Sequence, residues 1–94
     1  MLSQIPVDFG KIKKEDLDKE ILRIGIIAEL DAINLYEQLA ALATNKDIKK
    51  VFLDIAKEEK THVGEFQTML LRLDAEQVAE MAHAKKEIKE LTGK

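Results

Sequence analysis

The sequence has no cysteine and no tryptophan, one proline, four glycines and only four aromatic side chains, three Phe and one Tyr. Without cysteine there is no disulfide, no thiolate zinc site, no iron–sulfur cluster and no rubredoxin-type electron-transfer centre. Any metal must be held by oxygen and nitrogen. The one proline, Pro6, stands near the start, so nothing of its kind interrupts a helix over the rest of the chain. A basic stripe is also missing, and the net charge of −3 argues against nucleic acid as a partner. No apolar run approaches the ~20 residues that a bilayer span needs. The most apolar stretch, residues 21–42, carries Arg23, Glu29, Asp31 and Glu37. The N-terminus shows no basic segment followed by an apolar one, so no secretion signal is visible and the cytoplasm is the expected compartment.

What is present favours helices. Of 94 residues, 35% are charged and 46% hydrophobic, with Leu, Ala, Ile, Glu and Lys prominent. That length supports one domain, 1–94, and the fold class is all-α. Residues 1–13 lack periodicity and read as an extended N-terminal arm. From about Lys14, Leu22, Ile26, Glu29, Ile33, Tyr36, Ala40 and Ala43 recur at alternating steps of four and three, which is one face of a helix. A second apolar line, Ile24, Ile27, Leu35, Leu39 and Leu42, gives that helix more than one neighbour.

Thr44, Asn45, Lys46 and Asp47 mark a turn, with Asn45 or Asp47 as the next cap. A second helix over about 47–72 repeats Ile48, Phe52, Ile55, Glu59, His62, Phe66, Met69 and Leu73. Asp74 and Gln77 resemble a capping box opening a third helix to about Leu91, whose apolar line is Val78, Met81, Ile88 and Leu91. Phe52, Phe66, Met69 and Met81 read as core. The expected architecture is a long antiparallel two-helix hairpin plus a shorter third helix.

Within the hairpin seams, three residues break the apolar pattern. With the turn near residue 45, Glu29 lies about 16 residues before it, and Glu59 and His62 about 14 and 17 after it. At a rise of about 1.5 Å per residue all three sit roughly 21 to 26 Å from the turn. Glu59 and His62, three apart, share a helix face that looks toward Glu29. An unpaired carboxylate in an apolar seam costs several kcal/mol or titrates to its neutral form, so the group needs a compensating charge. Iron, manganese or zinc suits mixed carboxylate and imidazole donors. Three donors are too few for two bridged metals, whereas a twofold dimer doubles them to four carboxylates and two imidazoles. The alternative is a buried cluster of ion pairs and hydrogen bonds.

Glu-x-x-His alone is a weak signal, because Glu80 to His83 form a second copy. That copy lies on the polar line Glu76, Glu80, His83, Glu87 and Glu90, which reads as a solvated face. Tyr36 is two turns beyond Glu29 and is placed either to hydrogen-bond a metal-bound carboxylate or to pack in the core. Asp31, Glu58 and Glu65 flank the donors as ordinary helix surface or as a guide for cations.

The stretch Ala28-Glu29-Leu30-Asp31-Ala32-Ile33-Asn34-Leu35-Tyr36-Glu37, followed by Glu58-Glu59-Lys60-Thr61-His62, resembles the encapsulated ferritin family over roughly residues 17–91. The resemblance implies a dimer that rebuilds a ferritin-like four-helix bundle, association of dimers into a ring-shaped decamer, and location inside an encapsulin nanocompartment. It implies Glu29 and His62 as metal ligands, Glu59 as the bridging carboxylate, Tyr36 beside the centre and Asp31 at a position of metal entry. The implied activity is a ferroxidase, oxidising Fe2+ with O2 or H2O2 at a di-iron centre, with the encapsulin shell storing the mineral. Leu35 and Ala28 depart from family members that carry a tryptophan and a further acidic residue there. Residues 89–94 show no separate shell-docking peptide, as expected of a trimmed tail, a shell-fused form or another loading route. Two rival readings are a rubrerythrin-like peroxidase on the same metal pair and a non-redox helical assembly protein with a structural metal or ion cluster.

Overall fold

The computed structural model describes residues 9–94, and all regular structure among them is helical. Two 3-10 turns, Phe9–Lys11 and Lys14–Asp16, lead into α1 (Leu17–Leu42), followed by α2 (Lys46–Leu73) and α3 (Ala75–Thr92). Residues 1–8 of the expected arm lie outside the described residues; in its remainder Phe9–Lys11 form a 3-10 turn and Lys13 has extended backbone. The first α-helix likewise begins three residues later than Lys14, because Lys14–Asp16 close a 3-10 turn in which the Asp16 N–H donates to the Lys13 carbonyl. No described helix is long and apolar enough to cross a membrane.

Side chains and one glycine set the helix ends. Asn45 Oδ1 accepts from the N–H groups of Asp47 and Ile48 at 2.9 and 3.0 Å, satisfying two donors that the first turn of α2 leaves open. Asp74 does the same for α3, accepting from the Gln77 N–H at 3.0 Å. Gly93, at φ 76°, takes the left-handed conformation that ends α3 and donates to the Lys89 carbonyl.

α1 and α2 pack antiparallel in a register where paired residue numbers sum to about ninety. Gly25 meets Phe66, Glu29 meets His62 and Tyr36 meets Phe52, ring centroids 6.0 Å apart; the buried Ile33 and Ala56 share that register. Two ion pairs tie one flank. Lys60 Nζ lies 3.0 Å from Glu37 Oε2, and Arg23 Nη2 lies 2.9 Å from Asp74 Oδ2. Arg23 and Glu37, fourteen residues apart on α1, fall on the same side of that helix.

The other flank is apolar and open. Ile48, Val51, Met69 and Leu73 form one line along α2, and each is about half exposed. The core expectation for Met69 therefore does not hold within the single chain, because α1 covers only one face of α2. Ile21, Leu39 and Leu42 are exposed along α1 in the same way. Among the described elements α3 packs only against α2, where Gln67 Nε2 approaches Met81 Sδ at 3.8 Å. None of its residues is buried, and it widens the molecule to 46 × 44 × 19 Å.

The joint between α2 and α3 is acid-sensitive. The hydrogen bond from Gln77 N–H is the main influence holding the Asp74 carboxyl below its usual range; Arg23 and Lys19 add to it and burial opposes it. A carboxyl more acidic in the folded chain stabilises the fold at pH above its unfolded value of about 4. That contribution is lost as pH falls through the lower folded value. Acid titration followed by helical circular dichroism should show stability declining below about pH 4, and Asp74→Asn, which keeps the cap but removes the charge, should flatten that part of the curve. Separately, a Cβ added at Gly64, inside α2, meets nothing within 4 Å. Gly64→Ala is expected to stabilise the protein by about 0.5–1 kcal/mol, seen as a raised melting temperature.

Candidate metal centre

α1 supplies Glu29 and α2 supplies Glu59 and His62, and the hairpin register brings the three to one level. One donor atom from each lies within 4.8 Å of the other two. His62 Nδ1 is 3.3 Å from Glu59 Oε2 and 3.5 Å from Glu29 Oε2. The contact with Glu59 has hydrogen-bond geometry. The contact with Glu29 does not, and Glu29 Oε2 is buried with no hydrogen-bond partner.

This orphaned oxygen bears on the two readings of the cluster. A self-sufficient network would satisfy each buried acceptor, since a buried polar atom left unpaired costs about 1–3 kcal/mol, and more when charged. The only imidazole at hand is already engaged by Glu59. Two carboxylates and one imidazole facing a common point fit a divalent cation, which replaces a proton on the ring nitrogen and neutralises both acids. Exposure shows where the centre opens. The Glu29 and Glu59 side chains retain under a fifth of their surface, whereas His62 keeps 46%. His62 continues the open apolar line of Ile48, Val51, Met69 and Leu73, and a cavity of about 260 Å3 beside it is lined by His62, Glu65 and Phe66.

The other expected residues are not among the three converging donors. Tyr36 is half-buried with its ring tilted against Phe52. Asp31, two residues beyond Glu29, falls on the far side of the α1 axis. On α3, His83 Nδ1 is 3.2 Å from Glu80 and Nε2 is 3.2 Å from Glu87, all three side chains being more than half exposed. Those carboxylates approach opposite edges of the ring and do not converge on one point. Sequence reasoning missed the partners Arg23 for Asp74, Lys60 for Glu37 and Gly25 for Phe66; the hairpin register predicts the last once the turn is placed.

A helical hairpin that sets one Glu opposite a Glu-x-x-His is half of a ferritin-like bundle with a carboxylate–histidine centre. The comparisons narrow that class. The Rubrerythrin family profile matches residues 20–93. The ferritin-like–encapsulin shell fusion protein of Pyrococcus furiosus is 59% identical over 96 residues, covering 99% of this chain and 28% of that protein. The encapsulin nanocompartment cargo protein EncC of Myxococcus xanthus is 40% identical over 67 residues, covering 71% of this chain and 49% of its own. The crystal structure of the encapsulated ferritin domain from Pyrococcus furiosus superposes with a TM-score of 0.84 at 48% identity, covering 100% of this chain and 96% of that one. The chain belongs to the rubrerythrin family of ferritin-like proteins, in its encapsulated ferritin branch. It spans between 28% and 49% of the length of these two curated relatives.

Replacing the orphaned carboxylate tests the site without any assay of activity. Glu29→Met should make the metal-free protein more stable in urea by about 1 kcal/mol, while losing the rise in melting temperature that divalent metal gives the wild type. A destabilised variant would show instead that Glu29 is a structural partner in the apo fold.

Proposed function

We propose that residues 1–94 form a single ferritin-like half-bundle domain that acts as a ferroxidase once two copies associate. The observation that carries this reading is the half-site: three donors converge, one buried carboxylate oxygen lacks a partner, and the cluster opens on an apolar flank. A ferritin-like di-iron centre takes one Glu from each of two helices and a Glu-x-x-His from each of the other two. Two copies of Glu29, Glu59 and His62 supply that set. Glu29 and His62 bind the substrate Fe2+, Glu59 bridges the pair, and O2 or H2O2 takes up the electrons.

The apolar flank supports the dimer. Packing half-exposed Ile48, Val51, Met69 and Leu73 against a second copy would exclude water from around His62, sealing the centre from bulk solvent and strengthening its electrostatics. Iron is the metal favoured by the family, with manganese or zinc as substitutes on the same donors. Association with an encapsulin shell, and so a place inside that compartment, is supported by the names of the relatives, and the cytoplasm as its setting is part of the same proposal. A ring of five dimers and metal entry past Asp31 belong to the same reading, as does Tyr36 as a neighbour of the centre. The match to the Rubrerythrin profile supports a second reading, a peroxidase using the same metal pair. These 94 residues hold no cysteine that could carry an electron-transfer centre, so that activity draws its electrons from outside them.

Anaerobic Fe2+ titration followed by exposure to O2 tests the proposal. Wild type should oxidise two Fe2+ per dimer, with Glu29→Ala and Glu59→Ala slowed by at least about 10-fold. Equal oxidation by all three proteins sinks it. Sustained peroxide turnover with an added reductase, without net iron oxidation, moves the assignment to the peroxidase.

A further inference from the structure

Gly25 and Phe66 form the core layer immediately next to the metal centre. Gly25 is one helical turn before Glu29 on α1, and Phe66 is one turn after His62 on α2. A Cβ built on Gly25 would lie 3.1 Å from Phe66 Cδ2, 3.1 Å from Cε2 and 3.4 Å from Cγ. Ordinary carbon contacts fall at about 3.5–4.0 Å. The Phe66 ring therefore crowds the place a Cβ at position 25 would take and must give by a few tenths of an ångström to admit one. The atoms in the way belong to a rigid ring, including Cγ at its root, so a flexible tip cannot swing aside. Relief must come from movement of the ring or of α2 itself.

We infer that Gly25 is a positioning residue for the metal centre: its missing side chain seats Phe66 and thereby sets the separation of α1 and α2 where Glu29 faces Glu59 and His62. The magnitudes make this a matter of ligand geometry more than of folding. A methyl at position 25 forces a retreat of roughly 0.4 Å or more. Metal–ligand distances tolerate only about ±0.2 Å. Glu29 and His62 lie on the turns adjoining the contact and take up that displacement directly. Gly64 is a control on the same helix, two residues beyond His62, where an added Cβ meets nothing within 4 Å.

This inference rests on the reading of Glu29, Glu59 and His62 as ligands, and Co2+ as a probe separates the two. Affinity and the visible absorption of bound Co2+ are measured for wild type, Gly25→Ala, Phe66→Leu, Gly25→Ala with Phe66→Leu, Gly64→Ala and Glu29→Met, with helical content and melting temperature recorded for each. Gly25→Ala should bind Co2+ about 10-fold more weakly with an altered absorption band, the double variant should recover much of both, and Gly64→Ala should match the wild type. A folded Gly25→Ala with wild-type affinity and spectrum overturns the inference. If Gly25→Ala does not fold, Phe66→Leu decides alone: a weakened, altered site supports the spacer role and an unchanged one refutes it. Wild type that fails to bind Co2+, or binds it independently of Glu29, overturns the ligand assignment instead.

Discussion

The Glu29 carboxylate is the constraint around which this hairpin is arranged. It stands where a Leu or Ile would extend the α1 stripe, and the fold gives its buried oxygen no hydrogen bond. Such a group opposes folding unless the rest of the chain compensates. The compensation lies elsewhere in the hairpin. Ile33, Ala40, Ala56 and Leu70 are buried between the long helices, Asn45 caps the turn with two hydrogen bonds, and two ion pairs cross from α1 to α2 or to the α2–α3 joint. Stability on both sides of the cluster lets a strained polar group persist between them, as expected where local rules are broken for function.

The hairpin has two unlike flanks, and the difference gives the cluster a direction. On one, Glu37 with Lys60 is a finished interaction between exposed groups, and Arg23 with Asp74 joins a half-exposed guanidinium to a buried carboxylate. The Lys60–Glu37 pair is exposed enough to contribute at most about 1 kcal/mol, and its effect is mainly to hold the register. On the other flank, hydrophobic side chains remain half exposed and His62 lies among them. A single layer of two helices cannot enclose both faces of each helix, so the second apolar line on α1 and the Met69 line on α2 face outward together. The cluster of Glu29, Glu59 and His62 opens on the flank where the packing is incomplete.

The helices and the level of the three donors were legible because both depend on local spacing. Fourfold and threefold steps fix a face, and a turn placed near Asn45 brings Glu29, Glu59 and His62 to one height. Depth was harder to read. Met69 and Leu73 carry the same periodic signal as Phe52 and Phe66, yet only the latter pair meets α1, because periodicity names a face without counting the neighbours that cover it. The isolation of α3 was equally hidden, since Val78, Ile88 and Leu91 look like core until the angle at Asp74 turns them away. Asp74 at that joint is paired with Arg23, fifty-one residues earlier in the chain, a separation no local pattern reports. Gly25 was inconspicuous for the opposite reason: what matters there is an atom that is absent.

The two Glu-x-x-His copies show what converts spacing into chemistry. In both, Nδ1 of the histidine lies within 3.3 Å of the glutamate three residues earlier, so the local geometry is the same. On α3 the next carboxylate, Glu87, comes from the same helix and approaches the far nitrogen, and all three groups keep most of their contact with water. Water screens the pair and leaves nothing for an ion to satisfy. On α2 the next carboxylate comes from the facing helix, approaches the same nitrogen, and is held out of water by the seam. Convergence from two elements onto one point, with desolvation, creates a demand for positive charge that the chain itself does not meet. The chemistry of this protein therefore belongs to the contact between its helices more than to either motif.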